Sequence, residues 1–195
     1  TPTEYRMMAK LDNLDQYNLD HLHSAVSAGE PLNREVVEQF RKHFNLTVRD
    51  GYGQTESTLL IGFLKDTEPR PGSMGKAIPG SRVAVVDDDG NKVDTNVKGN
   101  IALPLDFPGL FKGYFKDEKR TKEAHAGEYY ITGDLAHIDE DGYFWFEGRR
   151  DDIIISSGYT IGPFEVEDAL TNHEAVKECA VVASPHPIRG NIVKA

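Results

Sequence analysis

Asp50–Leu60 reads DGYGQTESTLL. Tyr52 stands between Gly51 and Gly53, four polar residues follow at once (Gln54, Thr55, Glu56 and Ser57), and the chain then turns apolar. Glycine lets backbone approach a ligand closely. A tyrosine face stacks on a flat base. A threonine hydroxyl bonds a phosphate oxygen, and a glutamate offers oxygen to a hard cation such as Mg²⁺. The same residues also suit a strand-to-loop turn with polar caps, so the segment by itself leaves both readings open.

On its N-terminal side the chain reads α/β. NREVVEQFRKHF places Val36, Val37, Phe40 and Phe44 at helical spacing, with charges on the other side. Asn33 suits the N-cap, and Glu35 suits the positive end of the helix dipole. Before it, LHSAVSAGEP is a short strand-like run that ends in a Gly-Glu-Pro turn. From about residue 66 to 147 the pattern is mostly β. SRVAVVDDDGNKV gives a strand and an Asp-Gly turn, and YYITGDLAHIDEDGYFWFEG gives two strands around Glu140–Gly142. Between them a Gly- and Pro-rich loop leads into a short charged helix. Several short strands with glycine turns point to a small sheet or distorted barrel. From 150 onward the character changes again. A charged link, Arg150–Asp152, precedes an apolar strand IIIS and a loop. A helix with Pro163 at its first position follows, then a strand over KECAVVAS, a sequence that places Cys179 in apolar packing.

Composition bounds the function. The 195 residues carry 22 basic and 32 acidic side chains, a net charge of −10, which argues against general nucleic-acid or anionic-membrane binding but not against a local anion site. The single cysteine, Cys179, excludes an internal disulfide framework and a cysteine zinc site, and fits a cytoplasmic setting. No run of about 18 apolar residues is present, so no membrane span is expected. DDDGN and HIDEDGYFWFEG are better hairpin turns than calcium loops, because His137 and Gly148 occupy ligand positions that need oxygen donors. His21 and His23 have no third ligand in view, and Trp145 suits the core.

Two further motifs carry chemistry. In YYITGDL, Asp134 follows a glycine at a strand end, where a carboxylate can take two hydrogen bonds from adjacent ribose hydroxyls. A plain Gly-Asp turn is the alternative. In SPHPIRG, Arg189 lies in a turn where a guanidinium can grip a phosphate. GRRDD is equally well a solvated charge cluster.

In order along the chain, SAGEP (27–31), DGYGQTE (50–56), GSMGKAIPG (72–80), YITGDLAHIDEDGYFWFEGR (130–149), RDDIIISSGYTIGPFEVEDAL (150–170) and SPHPIRG (184–190) resemble the adenylate-forming superfamily. That group includes acyl-CoA synthetases, peptide-synthetase adenylation domains and luciferases. GYGQTES with SSGYTIGPFEVE is most similar to the medium-chain acyl-CoA synthetases. The resemblance implies an α/β fold. Residues 1–149 would end the large AMP-binding domain, with its distorted β-barrel, and 150–195 would begin the small α+β domain. It implies that a carboxylic acid attacks ATP to give acyl-AMP and pyrophosphate, and that coenzyme A then gives acyl-CoA and AMP. Gly29, Glu30 and Pro31 would lie along the adenine. Asp50, Gly51 and Tyr52 would complete that pocket, with Gly53 and Gln54 in the same nucleotide-binding segment. Thr55 would bond the α-phosphate, Glu56 would bind Mg²⁺, Asp134 would hold the ribose, and Arg149 would support ribose and phosphate. Asp151 would be the hinge. Ser157, Gly158 and Tyr159 would border the coenzyme A channel, with Arg189 near its phosphates.

Thr160 departs from the pattern, standing where the family commonly has arginine, which removes a cation from the coenzyme A side. Both ends of the sequence read as cut, so the chain is expected to be an internal piece. The family's Ser/Thr/Gly-rich phosphate loop is expected before Thr1 and its catalytic lysine beyond Ala195. The 195 residues alone are therefore expected to be inactive and to associate through exposed apolar surface. An aryl- or amino-acid-activating enzyme, or a non-enzymatic remnant, are the alternatives.

Overall fold

In the computed structural model, which describes residues 1–171, 173, 175, 176 and 178–195, three sheets follow one another along the chain. Helix α1 (Pro2–Ala9) sets Tyr5 edge-on against Phe40, with ring centroids 5.2 Å apart. Strand β1 (Ala25–Ala28), helix α2 (Arg34–Phe44) and strand β2 (Val48–Gly53) form a β–α–β unit, in which β1 and β2 run parallel and α2 buries Val36, Val37 and Phe40. The helix ends at Asn45, which takes the left-handed conformation (φ 51°) that closes a helix C-terminus. Asn33 occupies the N-cap position but makes no capping bond. Its side-chain oxygen instead accepts from the Arg6 guanidinium at 3.3 Å, so the expected N-cap residue is in place but bonded to α1. Strands β3 (Leu59–Gly62) and β4 (Lys76–Ala77) complete this first sheet in the order β1-β2-β3-β4. The first sheet therefore takes two residues from the stretch that reads as β-rich.

The second sheet is antiparallel. It holds β5 (Ala84–Val86), β6 (Gly99–Pro104), β7 (His125–Ala126) and β8 (Tyr129–Ile138) in the order β5-β6-β8-β7, and β9 (Phe144–Arg149) also pairs with β8. The short charged helix α3 (Glu118–Glu123) leads into β7, its N-terminus capped by the Asp117 side chain. Leu60 and Ile61 from the first sheet share one core with Val85, Ile101, Leu103, Tyr130 and Phe144 from the second, so the two sheets fold as a unit. Trp145 is only half-buried. Its Nε1 donates to Asp139 (3.0 Å) and its ring stacks on His137, which places it outside the core assigned to it from sequence.

The third sheet, β10 (Ile154–Ser156), β11 (Tyr159–Ile161), β12 (Val182–His186) and β13 (Gly190–Lys194), is antiparallel throughout, in the order β11-β10-β13-β12. The stretch expected to be a loop after IIIS is thus a hairpin. Helix α4 (Pro163–Thr171) starts at Pro163 and rests on β9, with Phe164 edge-on to Phe146 at 5.9 Å. The last predicted strand is corrected by the structure. It begins only at Val182, and Lys177 lies outside the described residues. The Val181 amide donates to the Glu167 carboxylate of α4 (2.8 Å) rather than to a ladder. Cys179 is accordingly half-buried and off the strand. Its thiol donates to the Glu167 carbonyl (3.5 Å), and burial, then Glu167, push its pKa up.

Candidate active site

Where β8 passes between β6 and β9 its register slips on both sides. Asn100 faces Leu135 while Ala102 faces Ile131, and across the other edge Leu135 faces Gly148 while Ala136 faces Phe146. Bulges of this kind re-aim side chains. Gly133 supplies the turn with φ 82°, a conformation that strains any residue with a Cβ. The result is that Asp134, 10% exposed, projects into a cleft of about 610 Å³ at the join of the sheets. The cleft is lined by Gly29, Glu30 and Pro31 after β1, by Asp50–Gln54 of β2, by Arg149, and by Pro163 and Phe164 of α4.

The polar geometry around Asp134 is lopsided. Oδ2 accepts from the Tyr52 hydroxyl (2.6 Å) and from Gln54 Nε2 (2.8 Å). Among the described residues Oδ1 has only the Arg149 Nε, 4.0 Å away, on a guanidinium that is 61% exposed. One carboxylate oxygen is therefore fixed by protein donors and the other faces the cleft. Burial, and then the charge of Asp134, push the Tyr52 phenol well above its ordinary range, which keeps it a donor. Gln54 is held by three bonds. Its amide donates to the Thr132 carbonyl (3.0 Å) and to Asp134, and its carbonyl accepts from the Tyr130 hydroxyl (3.3 Å). Reversing the amide would set its carbonyl against two acceptors, so the orientation is chemically fixed.

Asp50 is different. It lines the same cleft, its Oδ1 is buried without a hydrogen-bond partner among the described residues, and burial pushes its carboxyl up to about 7 against the opposing pull of the Gly51 and Leu32 amides. Glu30 pairs with Arg6 (2.6 Å) and accepts from Thr3 (2.9 Å), which pins the 29–31 turn against α1.

The other residues singled out in the sequence fall elsewhere. Thr55 and Glu56 sit in the turn after β2, outside the lining of the cleft. Thr55 is exposed, and Glu56 Oε1 accepts from the Tyr114 hydroxyl (3.0 Å). Glu56 Oε2 has no partner among the described residues, and no group of three acidic, His or Cys side chains able to hold a metal occurs among them. Ser157, Gly158, Tyr159 and Arg189 are brought together away from the cleft, at one tip of the third sheet. There the Ser157 amide donates to the Arg189 carbonyl (3.1 Å). Asp151 sits on an exposed 3-10 turn, Arg150–Asp152, between β9 and β10. Arg150 pairs with Asp88 (3.1 Å).

Tyr114, Tyr130 and Thr132 were not found by motif. The alternation in YYITGDLA does carry a signal for two of them, because Tyr130, Thr132 and Asp134 share the buried side of β8 at period two. Tyr114 approaches from a loop that no local pattern connects to Glu56.

The chain is similar to known proteins. The model of the AMP-binding enzyme family matches residues 1–115, and that of the AMP-binding enzyme C-terminal domain matches residues 165–195. An uncharacterized acyl–CoA ligase of Bacillus subtilis, YtcI, is 65% identical over all of this chain and 37% of its own length. The mitochondrial acyl-coenzyme A synthetase ACSM3 of mouse is 49% identical over all of the chain and 34% of its own length. Among solved structures, the anthranilate CoA ligase AuaEII in complex with anthranoyl-AMP superposes with a TM-score of 0.90 at 33% identity, covering 99% of this chain and 37% of that one. The chain thus spans a little over a third of the length of these relatives. Among the described residues no helix is long and apolar enough to cross a membrane. With its matched regions, its shared sheets and its cleft, the chain belongs to the AMP-binding enzyme family of adenylate-forming proteins.

Proposed function

We propose that this chain forms the adenosine wall and the hinge of an ATP-dependent acyl-CoA synthetase. The observation that carries the reading is Asp134, with one carboxylate oxygen saturated by Tyr52 and Gln54 and the other open to a glycine-lined cleft. That open oxygen and the Arg149 guanidinium suit the paired hydroxyls of a ribose. Gly29–Pro31 and the Gly51–Gly53 backbone flank the space for the base, with Tyr52 packed at its floor. Asp50 Oδ1, an acceptor without a partner, suits an amino group of the base. Carboxylic acid, ATP and coenzyme A are the substrates we assign. The acid's carboxylate oxygen bonds to the α-phosphorus as the bond to pyrophosphate breaks. The coenzyme A sulfur then bonds to the acyl carbon as AMP leaves, carrying the electron pair on its phosphate oxygen.

In the first step Thr55 would donate a hydrogen bond to the α-phosphate. Glu56 fits Mg²⁺, because its Oε2 is open and a single carboxylate suffices where phosphates supply the remaining oxygens. Bound there, the ion would neutralise charge on the phosphates. In the second step the 157–159 loop and Arg189 would meet coenzyme A, with rotation near Asp151 bringing that tip to the cleft. We place the domain division at residues 149 and 150. We also assign a cytoplasmic setting, no nucleic-acid partner, and a tendency of the isolated chain to associate through exposed apolar groups such as Val26 and Ile188.

Pyrophosphate exchange and metal-free AMP binding in the intact protein test the reading. Glu56→Gln is expected to abolish Mg²⁺-dependent exchange while AMP still binds, and Asp134→Ala to abolish AMP binding. Full exchange activity in Glu56→Gln would remove Glu56 from its role, and undiminished AMP binding in Asp134→Ala would overturn the adenosine site.

A further inference from the structure

The two carboxylates assigned to the nucleotide, Glu56 and Asp134, do not touch, but a tyrosine hydroxyl supports each, one directly and one through Gln54. Tyr114 donates to Glu56 Oε1 at 3.0 Å. Tyr130 donates to Gln54 Oε1 at 3.3 Å, and Gln54 donates onward to Asp134 Oδ2 at 2.8 Å. The two rings are anchored through a common neighbour. Phe111 is edge-on to Tyr114 (4.9 Å between centroids) and to Tyr130 (5.4 Å), and its amide donates to the Glu56 carbonyl at 2.7 Å. Tyr114 is held on its other face by the Arg120 guanidinium, 4.0 Å from the ring centroid, and its amide donates to Thr121 Oγ1 at 2.9 Å. Its hydroxyl therefore has little freedom to leave Glu56.

We propose that Tyr114 and Tyr130 are positioning residues, Tyr114 for Glu56 through its own hydroxyl and Tyr130 for Asp134 through Gln54, with Phe111 packed against both rings. The proposal rests on the reading of Glu56 as the metal carboxylate and Asp134 as the ribose carboxylate. A hydroxyl bonded to one carboxylate oxygen turns the other toward its ligand, and such charge-assisted bonds are stronger than neutral ones. A network of this kind also transmits the loss of one member to the next. Tyr114 acts on Glu56 directly. Tyr130 acts on Asp134 through Gln54.

The experiment uses the intact protein and three variants, Tyr114→Phe, Tyr130→Phe and Glu56→Gln. Mn²⁺ binding in the presence of α,β-methylene-ATP is followed by electron paramagnetic resonance, and AMP binding without metal by calorimetry. Tyr114→Phe is expected to weaken Mn²⁺ binding about tenfold and to leave AMP affinity and the melting temperature unchanged. Tyr130→Phe is expected to weaken AMP binding and to leave Mn²⁺ binding unchanged. Should Tyr130→Phe fold poorly, Tyr114→Phe on its half-exposed loop carries the test. Unchanged Mn²⁺ binding in Tyr114→Phe, with Mn²⁺ binding lost in Glu56→Gln, overturns the positioning role alone. Mn²⁺ binding retained in Glu56→Gln overturns the metal reading and the proposal with it. Equal weakening of both ligands in Tyr114→Phe, with a lowered melting temperature, shows a merely structural role and also overturns it.

Discussion

The cleft at the join of the first two sheets and the tip of the third sheet are built by opposite means. In the cleft, Asp134 and Gln54 are held by side-chain bonds on a shared core in which Ile101 and Leu103 are fully buried. At the tip, Ser157 and Arg189 meet only through backbone, and Tyr159 and Ile188 are 75% and 88% exposed. The cleft is organised before any ligand arrives. The tip presents a loop with exposed side chains. That suits the assigned roles, because a nucleotide site needs fixed charges, whereas a surface that must swing toward a second substrate needs few commitments of its own.

The comparison can be broken most severely through pH. The Asp50 pKa of about 7 lies above its ordinary 3.8. Between those values the folded carboxyl keeps a proton that the unfolded one has lost. The contribution to stability is therefore full below about pH 4, falls as pH rises, and is gone above about pH 7. Asp50→Asn is expected to remove a slope of about 4 kcal/mol over that window, read from urea unfolding at a series of pH values. An unchanged slope would contradict a buried protonated Asp50.

Ile101→Ala is expected to cost about 3 kcal/mol, against less than about 0.5 kcal/mol for Ile188→Ala at the tip. Similar losses at both sites would erase the distinction between the regions. Asp134→Asn keeps the shape and its carbonyl can still accept from Tyr52 and Gln54, but an NH2 replaces the open oxygen toward the cleft. AMP affinity in the intact protein is expected to fall by about 2 kcal/mol, with coenzyme A binding unchanged. The smallest effect belongs to the tip. Thr160 is exposed on β11, and Thr160→Arg would restore a cation there at about 1 kcal/mol or less, seen as a several-fold lower KM for coenzyme A. Unchanged coenzyme A kinetics would remove that residue from the channel.

Much of the molecule was legible in the chain. The period of 3.6 in Arg34–Phe44 and of two in Tyr129–Ile138 follow from which side chains must leave water, and the ordered motifs marked the nucleotide-binding family. Asn33 stands at the N-cap as its sequence position implies, although its side chain bonds Arg6 rather than the helix end. Two readings failed where a distant group outcompeted a local preference. Glu167 took the Val181 amide from a strand. The Asp139 carboxylate, with His137 stacked alongside, kept Trp145 half-exposed. Sequence by itself determined the residue types at the proposed nucleotide site, because glycine, tyrosine and carboxylate are what a nucleotide's chemistry calls for. Only the tertiary structure decided which oxygen of Asp134 is open and that Tyr114 reaches Glu56. Those facts depend on a bulge at Gly133 and on a loop 58 residues away in sequence, and local propensity contains neither.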